Sequence, residues 1–156
     1  MILFLDFDGV LHPQYEGQAV PVDVAFCNLS RFEAVMRDFP HVEIVISSTW
    51  REQFDLDNLR ARFAPDIAAR ITGTTLLSCQ APPPSLVELL ARREWEIANW
   101  LRALDRSGEP WIALDDAAWQ FRRYHHRLVA CKSDVGFDAE AASRLRAVLS
   151  GVTNCR

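Results

Sequence analysis

Two pairs of carboxylates stand out, each at the end of an apolar run: Asp6 and Asp8 in ILFLDFDGVL, Asp115 and Asp116 in WIALDD. A carboxylate at the end of a buried strand is costly unless a cation, a proton or a reacting group compensates it. Asp6 and Asp8 are two residues apart, so the pleat sends both to one side of the strand. A cluster of hard oxygen donors selects Mg²⁺ over softer metals, and Mg²⁺ commonly takes a substrate phosphate as a further ligand. Ser47, Ser48 and Thr49 follow another apolar run and open a helical pattern, so their hydroxyls and N–H groups form an anion site. Arg92 and Arg93 open a further helix and offset phosphate charge. Together these groups suit phosphoryl chemistry. One aspartate attacks phosphorus, and another protonates the leaving oxygen and later activates water.

Such acids meet only if the strands that carry them lie side by side. Ile2–Phe7 reads as a fully buried strand because it lacks polar alternation. Asp23–Asp38 carries apolar residues at helical spacing, and Val42–Ser47 is a second, β-branched strand. Arg51–Phe63 reads as an amphipathic helix, and Ile67–Ile71 as a weaker third strand running out in ITGTT. The prolines of APPPS exclude a helix interior. A helix over Arg92–Leu104 has Trp95, Trp100, Leu101 and Leu104 as its apolar stripe, with both tryptophans expected inside. Trp111–Asp116 is a fourth strand, Arg127–Cys131 a fifth, and Asp138–Leu149 the closing helix. This alternation predicts one α/β domain over residues 1–156. The expected form is a three-layer α/β/α sandwich around a Rossmann-like parallel sheet of five strands. In such sheets ligands bind beyond the carboxyl ends of the strands, where the strand order reverses.

Composition narrows the classes. Hydrophobic residues make up 49% and charged residues 24%, an ordinary globular balance. The net charge of −4 excludes a global basic field of the kind that drives unspecific nucleic-acid binding. Lys132 is the only lysine, the remaining basic charge being arginine. Cys27, Cys79, Cys131 and Cys155 form no CxxC, which speaks for reduced, mostly buried thiols in a cytoplasmic protein. No stretch approaches the ~20 apolar residues of a membrane span. The apolar start lacks the basic region and cleavage site of a signal peptide, so it belongs to the fold. Adjacent His125 and His126 in RRYHHR point in different directions on any regular element. That stretch reads as a solvated basic loop, with anion binding second, rather than as a metal site. His12 fits a flap residue touching the site or a turn residue before Pro13.

DFDGVL, the strand ending at Ser47, an arginine ahead of the fourth strand, and LDD resemble, in order, the four motifs of the haloacid dehalogenase-like (HAD) hydrolases. The resemblance makes Asp6 the nucleophile and Asp8 the general acid/base. Mg²⁺ would be held by the Asp6 side chain and the Asp8 backbone carbonyl, with Asp115 and Asp116 completing the metal site. It assigns the phosphoryl oxygens to Ser47, with Ser48 beside it, and the family's basic residue to Arg93, with Arg92 and Lys132 as alternatives. An acid two residues after the nucleophile resembles the phosphatase and phosphomutase members. The segments IVISSTWR and RREWEIANWL resemble the small capless members associated with RNA repair proteins.

His12–Val22 has room for a flap, and Gly73–Ala91 for a loop and a short helix, but neither for a cap domain. An open site suits a phosphate on the end of something large, such as a nucleic acid or a protein, with Trp50 and Trp119 as candidate platforms for stacking on a base. The expected activity is therefore a Mg²⁺-dependent phosphomonoesterase. The alternatives are a non-catalytic binding module, and a phosphatase for small metabolites or nucleotides that a partner chain completes. A phosphorylated signalling receiver needs an acid at the third strand's end, which ITGTT lacks, and a phosphomutase needs a closed chamber.

Overall fold

The computed structural model describes residues 1–15, 20–75 and 85–153. Pro82, Pro83, Pro84, Cys79 and Cys155 lie outside the described residues. Five strands form one parallel sheet: β1 (Ile2–Leu5), β2 (Glu43–Ile46), β3 (Ile71–Thr74), β4 (Trp111–Asp115) and β5 (Leu128–Ala130), in the order β3-β2-β1-β4-β5. The chain builds outward from β1 through β2 to β3, then returns to place β4 on the other side of β1. The order therefore reverses between β1 and β4.

Alternate residues of each strand feed two cores, one on each face, as the pleat requires. Leu3, Leu5, Ile44, Ile46 and Leu114 pack on one face with Phe32, Val35 and Met36 of α1 (Leu29–Arg37) and Leu145 and Leu149 of the closing helix. Ile2, Phe4, Val45 and Ala113 pack on the other with Ile97, Trp100 and Leu101 of a single long helix, Arg92–Ala103. Both faces are covered, so β1 is apolar throughout, β2 is apolar after Glu43 and β4 is apolar up to Asp115, and the fold is the three-layer sandwich expected. The remaining helices are α2 (Leu56–Arg60), α3 (Pro65–Ala68) and α4 (Leu86–Leu90). They leave Arg92–Ala103 as α5 and Ala139–Thr153 as α6.

Four local expectations are corrected. The Asp23–Asp38 helix begins only at Leu29. Phe26 adopts φ of 59°, and the Asn28 amide donates to Val10 O and Val135 O, which fastens the chain as turns. The Arg51–Phe63 helix is broken into a 3-10 turn, Thr49–Glu52, and α2. Asp55 accepts from Asn58 N at 2.8 Å and so caps a new helix. Ile67 belongs to α3, with Pro65 in its first turn, and the third strand starts at Ile71. Leu104 is exposed and Trp95 only partly buried, whereas Arg93, Glu94, Glu96 and Asn99 of α5 are buried.

Candidate active site

Register brings the acids together. Leu5 of β1 stands opposite Ile46 of β2 and Leu114 of β4, so Asp6, Ser47 and Asp115 follow at one level beyond the sheet. Asp6 N donates to Leu114 O at 3.0 Å and Ser47 N to Leu5 O at 2.9 Å, which continues the ladder to that level. This is the point where the strand order reverses.

Asp6, Asp115 and Asp116 each offer one oxygen, and these oxygens lie within 4.8 Å of one another. Gly9 makes the close approach feasible: at φ of 66° it has no side chain, and a Cβ there would sit 2.2 Å from Asp116 Oδ2. Arg93 reaches into the cluster from the first turn of α5. Its Nη2 donates to Asp6 Oδ2 at 3.1 Å, and its Nε lies 3.2 Å from Asp115 Oδ2. Asp6 Oδ1 accepts from Phe7 N at 2.8 Å, and Asp115 Oδ1 from Ala117 N at 2.9 Å. One guanidinium thus faces three acids. Burial, then the Asp6 charge, pushes the Asp115 carboxyl up to about 7, and burial raises Asp116 as well.

The donor set fits Mg²⁺. The oxygens are hard, buried Asp115 Oδ2 has no hydrogen bond, and a divalent cation would offset the negative charge of carboxylates that burial disfavours.

Asp8 stands apart from this cluster. Trp50 Nε1 donates to its Oδ2 at 3.0 Å and to Oδ1 at 3.2 Å, and His12 Nε2 lies 3.0 Å from Oδ1. Burial disfavours the charged form, but the His12 and Trp50 hydrogen bonds outweigh it and hold the Asp8 carboxyl below its ordinary range. Phe26 N donates to His12 Nδ1 at 3.4 Å, so a neutral His12 carries its proton on Nε2 and donates to Asp8. His12, which the sequence left undecided, is fully buried against the site. Trp50 is not a free stacking platform, because its ring packs against Phe7, His12, Phe26 and Phe54.

A cavity of about 430 Å³ opens over these groups, lined by Asp6, Asp8, Thr49, Arg93, Asp116 and Trp119 among others. Ser47 and Ser48 are buried and do not line it. The Ser47 hydroxyl has no hydrogen-bond partner, while that of Ser48 accepts from Trp50 N at 3.5 Å as a cap. Thr49, not Ser48, lines the cavity. Asp8 keeps 29% of its side chain accessible, and Trp119 is 68% exposed at the rim. Of the alternative basic residues, Lys132 pairs with Glu140 and does not line the cavity, and Arg92 pairs with Glu96 and Glu52. Arg51 was not singled out from the sequence. It is buried, donates to the carbonyls of Ser47 and Ser48, and pairs with Glu96 at 2.6 Å. That pair ties the loop after β2 to the helix that carries Arg93.

Residues 2–142 match the family described as the HAD domain in Swiss Army Knife RNA repair proteins. The chain belongs to this HAD family. No curated protein and no solved structure matches it. In this HAD domain the strand-end acids lie level with one another, and no helix among the described residues is long and apolar enough to cross a membrane.

Proposed function

We propose that this HAD domain is a Mg²⁺-dependent phosphomonoesterase working through an aspartyl-phosphate on Asp6. The carrying observation is the pairing of Asp6 with Arg93, in a cavity that also holds Asp8. Arg93 orients the Asp6 carboxylate and neutralises the phosphoryl oxygens as they approach. Ser47, whose buried hydroxyl is unpartnered, would bind the same oxygens, with Thr49 at the cavity wall. Mg²⁺ would be held by Asp6, Asp116, Asp115 and the Asp8 carbonyl, and supplies charge neutralisation that lets a phosphate enter a nest of carboxylates.

In the first half, an Asp6 oxygen bonds to phosphorus and the bond to the leaving oxygen breaks. That oxygen keeps the electron pair and takes a proton from Asp8. The approaching phosphate dianion raises the affinity of Asp8 for that proton, against the pull of Trp50 and His12. In the second half, Asp8 removes a proton from water. The water oxygen bonds to phosphorus, which frees Asp6 and inorganic phosphate.

The open cavity with an exposed indole at its rim suits a phosphate at the end of a polynucleotide, in keeping with the RNA repair proteins that name the family. Phosphate release is the test, measured from an aryl phosphate and from 5′-, 3′- and 2′-phosphorylated oligonucleotides. Asp6→Asn should abolish release and Asp8→Asn reduce it by about 10²–10⁴-fold, with folding retained. Activity that survives Asp6→Asn, or that withstands chelation of Mg²⁺, overturns the reading.

A further inference from the structure

The segment that leaves β4 lines the cavity with Ala117, Trp119 and Gln120, then continues as Arg122, Arg123 and Tyr124 along a second groove. This groove, about 350 Å³, lies between that segment and α5. It shares Arg102 and Tyr124 with a smaller hollow of about 160 Å³ that ends at Arg127. Gln120 and Arg122 are two residues apart, so cavity and groove are separated by no more than about 7 Å of chain.

Arg102, Arg122, Arg123 and Arg127 thus line two adjoining hollows with shared wall residues, in a chain of net charge −4. Among the described residues none of the four pairs with a carboxylate, whereas Arg37, Arg51, Arg92, Arg93, Arg106 and Arg146 all do. The acid in the groove is Glu94, and its Oε2 is engaged by the backbone N–H groups of Arg123 at 2.8 Å and Tyr124 at 3.1 Å. It shapes the segment and pairs with none of the four guanidinium groups, of which that of Arg102 donates to Asn99 Oδ1 at 2.6 Å and that of Arg127 stacks on Trp111 and Tyr124. Four like charges gathered along adjoining hollows repel each other, a standing cost that a polyanion relieves. Aromatic rings are interleaved with them: Trp95 and Tyr124 line the groove, and the Arg127 guanidinium lies 5.0 Å above the Trp111 ring. Trp111 is buried, so the rings that face the groove are Trp95 and Tyr124, and guanidinium groups beside such faces suit single-stranded nucleic acid, in which phosphates alternate with bases that stack. An acidic peptide would use the charges and leave the free Trp119 face idle.

We propose that this groove binds the backbone of a single-stranded polynucleotide whose end enters the Asp6 cavity, with Trp119 stacking on the first base. The proposal deepens the phosphomonoesterase reading and rests on it for the position of the strand's end.

Binding tests it without turnover. The probe is a fluorescein-labelled oligouridylate of about twelve nucleotides with no terminal phosphate, titrated with the whole protein and followed by anisotropy. The Arg122→Glu/Arg123→Glu double variant should weaken binding at least about tenfold and flatten the dependence of log K on log salt by about 1.4, two phosphate contacts' worth. Arg102→Glu, on the opposite wall, should weaken binding independently, and thermal melts should show all variants folded. Equal affinity of wild type and both variants overturns the groove, as does an absence of binding by wild type at low salt. A polyglutamate of equal charge that competes as well as unlabelled oligouridylate overturns the polynucleotide assignment in favour of an acidic peptide. Phosphate release is not read, so a failed hydrolase assay would sink the phosphatase reading and leave this result standing.

Discussion

The indole N–H of Trp50 donates to Asp8 Oδ2 at 3.0 Å, joining the 3-10 turn after β2 to the loop after β1. Trp50 therefore acts on the proton affinity of Asp8 and is not spare for stacking. A donor to a carboxylate stabilises the ionised form, so removing it raises the pKa. Trp50→Phe keeps an aromatic ring among Phe7, Phe26 and Phe54 and removes only the donor. The acidic limb of the kcat–pH profile, which reports the step needing Asp8 ionised, should move upward. His12 and Arg93 still lower the pKa in that variant, so the limb moves without disappearing. A limb that stays in place would remove Trp50 from this role.

Gly9 lies under Asp116. Gly9→Ala puts a Cβ 2.2 Å from Asp116 Oδ2 and forces an L side chain onto a φ of 66°. The backbone strain is worth about 1–2 kcal/mol, and the clash displaces a carboxylate of the proposed metal site. Melting with and without Mg²⁺ separates the two effects. Wild type should melt higher in Mg²⁺, because a ligand that binds only the folded state stabilises it, and the variant should lose most of that increment. An increment equal to that of wild type would place the metal elsewhere.

Apolar runs were legible because both faces of the sheet are covered, so β1 and β4 show as hydrophobic stretches with the acids at their ends, and β2 as one that runs from Ile44 to Ser47. Ser47 and Arg93 were legible through the family's motif order. The rest depends on tertiary contacts that leave no local trace. Arg51 and Glu96 look like ordinary helix charges, yet they are buried against each other across β2 and α5. The Asp23–Asn28 stretch has helical spacing, but Asn28 spends its amide on Val10 and Val135, which are distant in sequence. Trp50 and Trp119 look alike in sequence, and only packing makes one a donor to Asp8 and leaves the other bare.

The Arg51–Glu96 pair should outweigh its neighbour Arg92–Glu96 in stability. The Arg51 side chain is 2% exposed and that of Arg92 58%. Glu96→Ala leaves the Arg51 charge buried and uncompensated, which costs about 3–5 kcal/mol, whereas Arg92→Ala removes a surface contact worth about 1 kcal/mol or less. Urea unfolding of the two variants checks the order. Equal losses would mean that Arg51 finds another partner or reaches water.

Acid should weaken the opposite end of the sheet through Arg106. Its guanidinium donates to both Glu43 oxygens at 2.8 and 2.6 Å and to Glu109 at 2.7 and 2.8 Å. The Arg106 hydrogen bonds hold both carboxyls below their ordinary 4.5. A carboxyl with a depressed folded pKa contributes stability that is present above its unfolded value and is lost as pH falls through the folded one. Glu109 is more than a third exposed, so most of the effect belongs to Glu43. Arg106→Gln should cost about 1 kcal/mol at pH 7, and the gap from wild type should shrink as pH falls from about 5 to about 3. Arg106 stays charged throughout, so the pH dependence comes from the carboxyls alone. Denaturant unfolding of both proteins across that range is the measurement, and a gap that stays constant would show that Arg106 stabilises through its packing on Trp100 and not through the carboxylates.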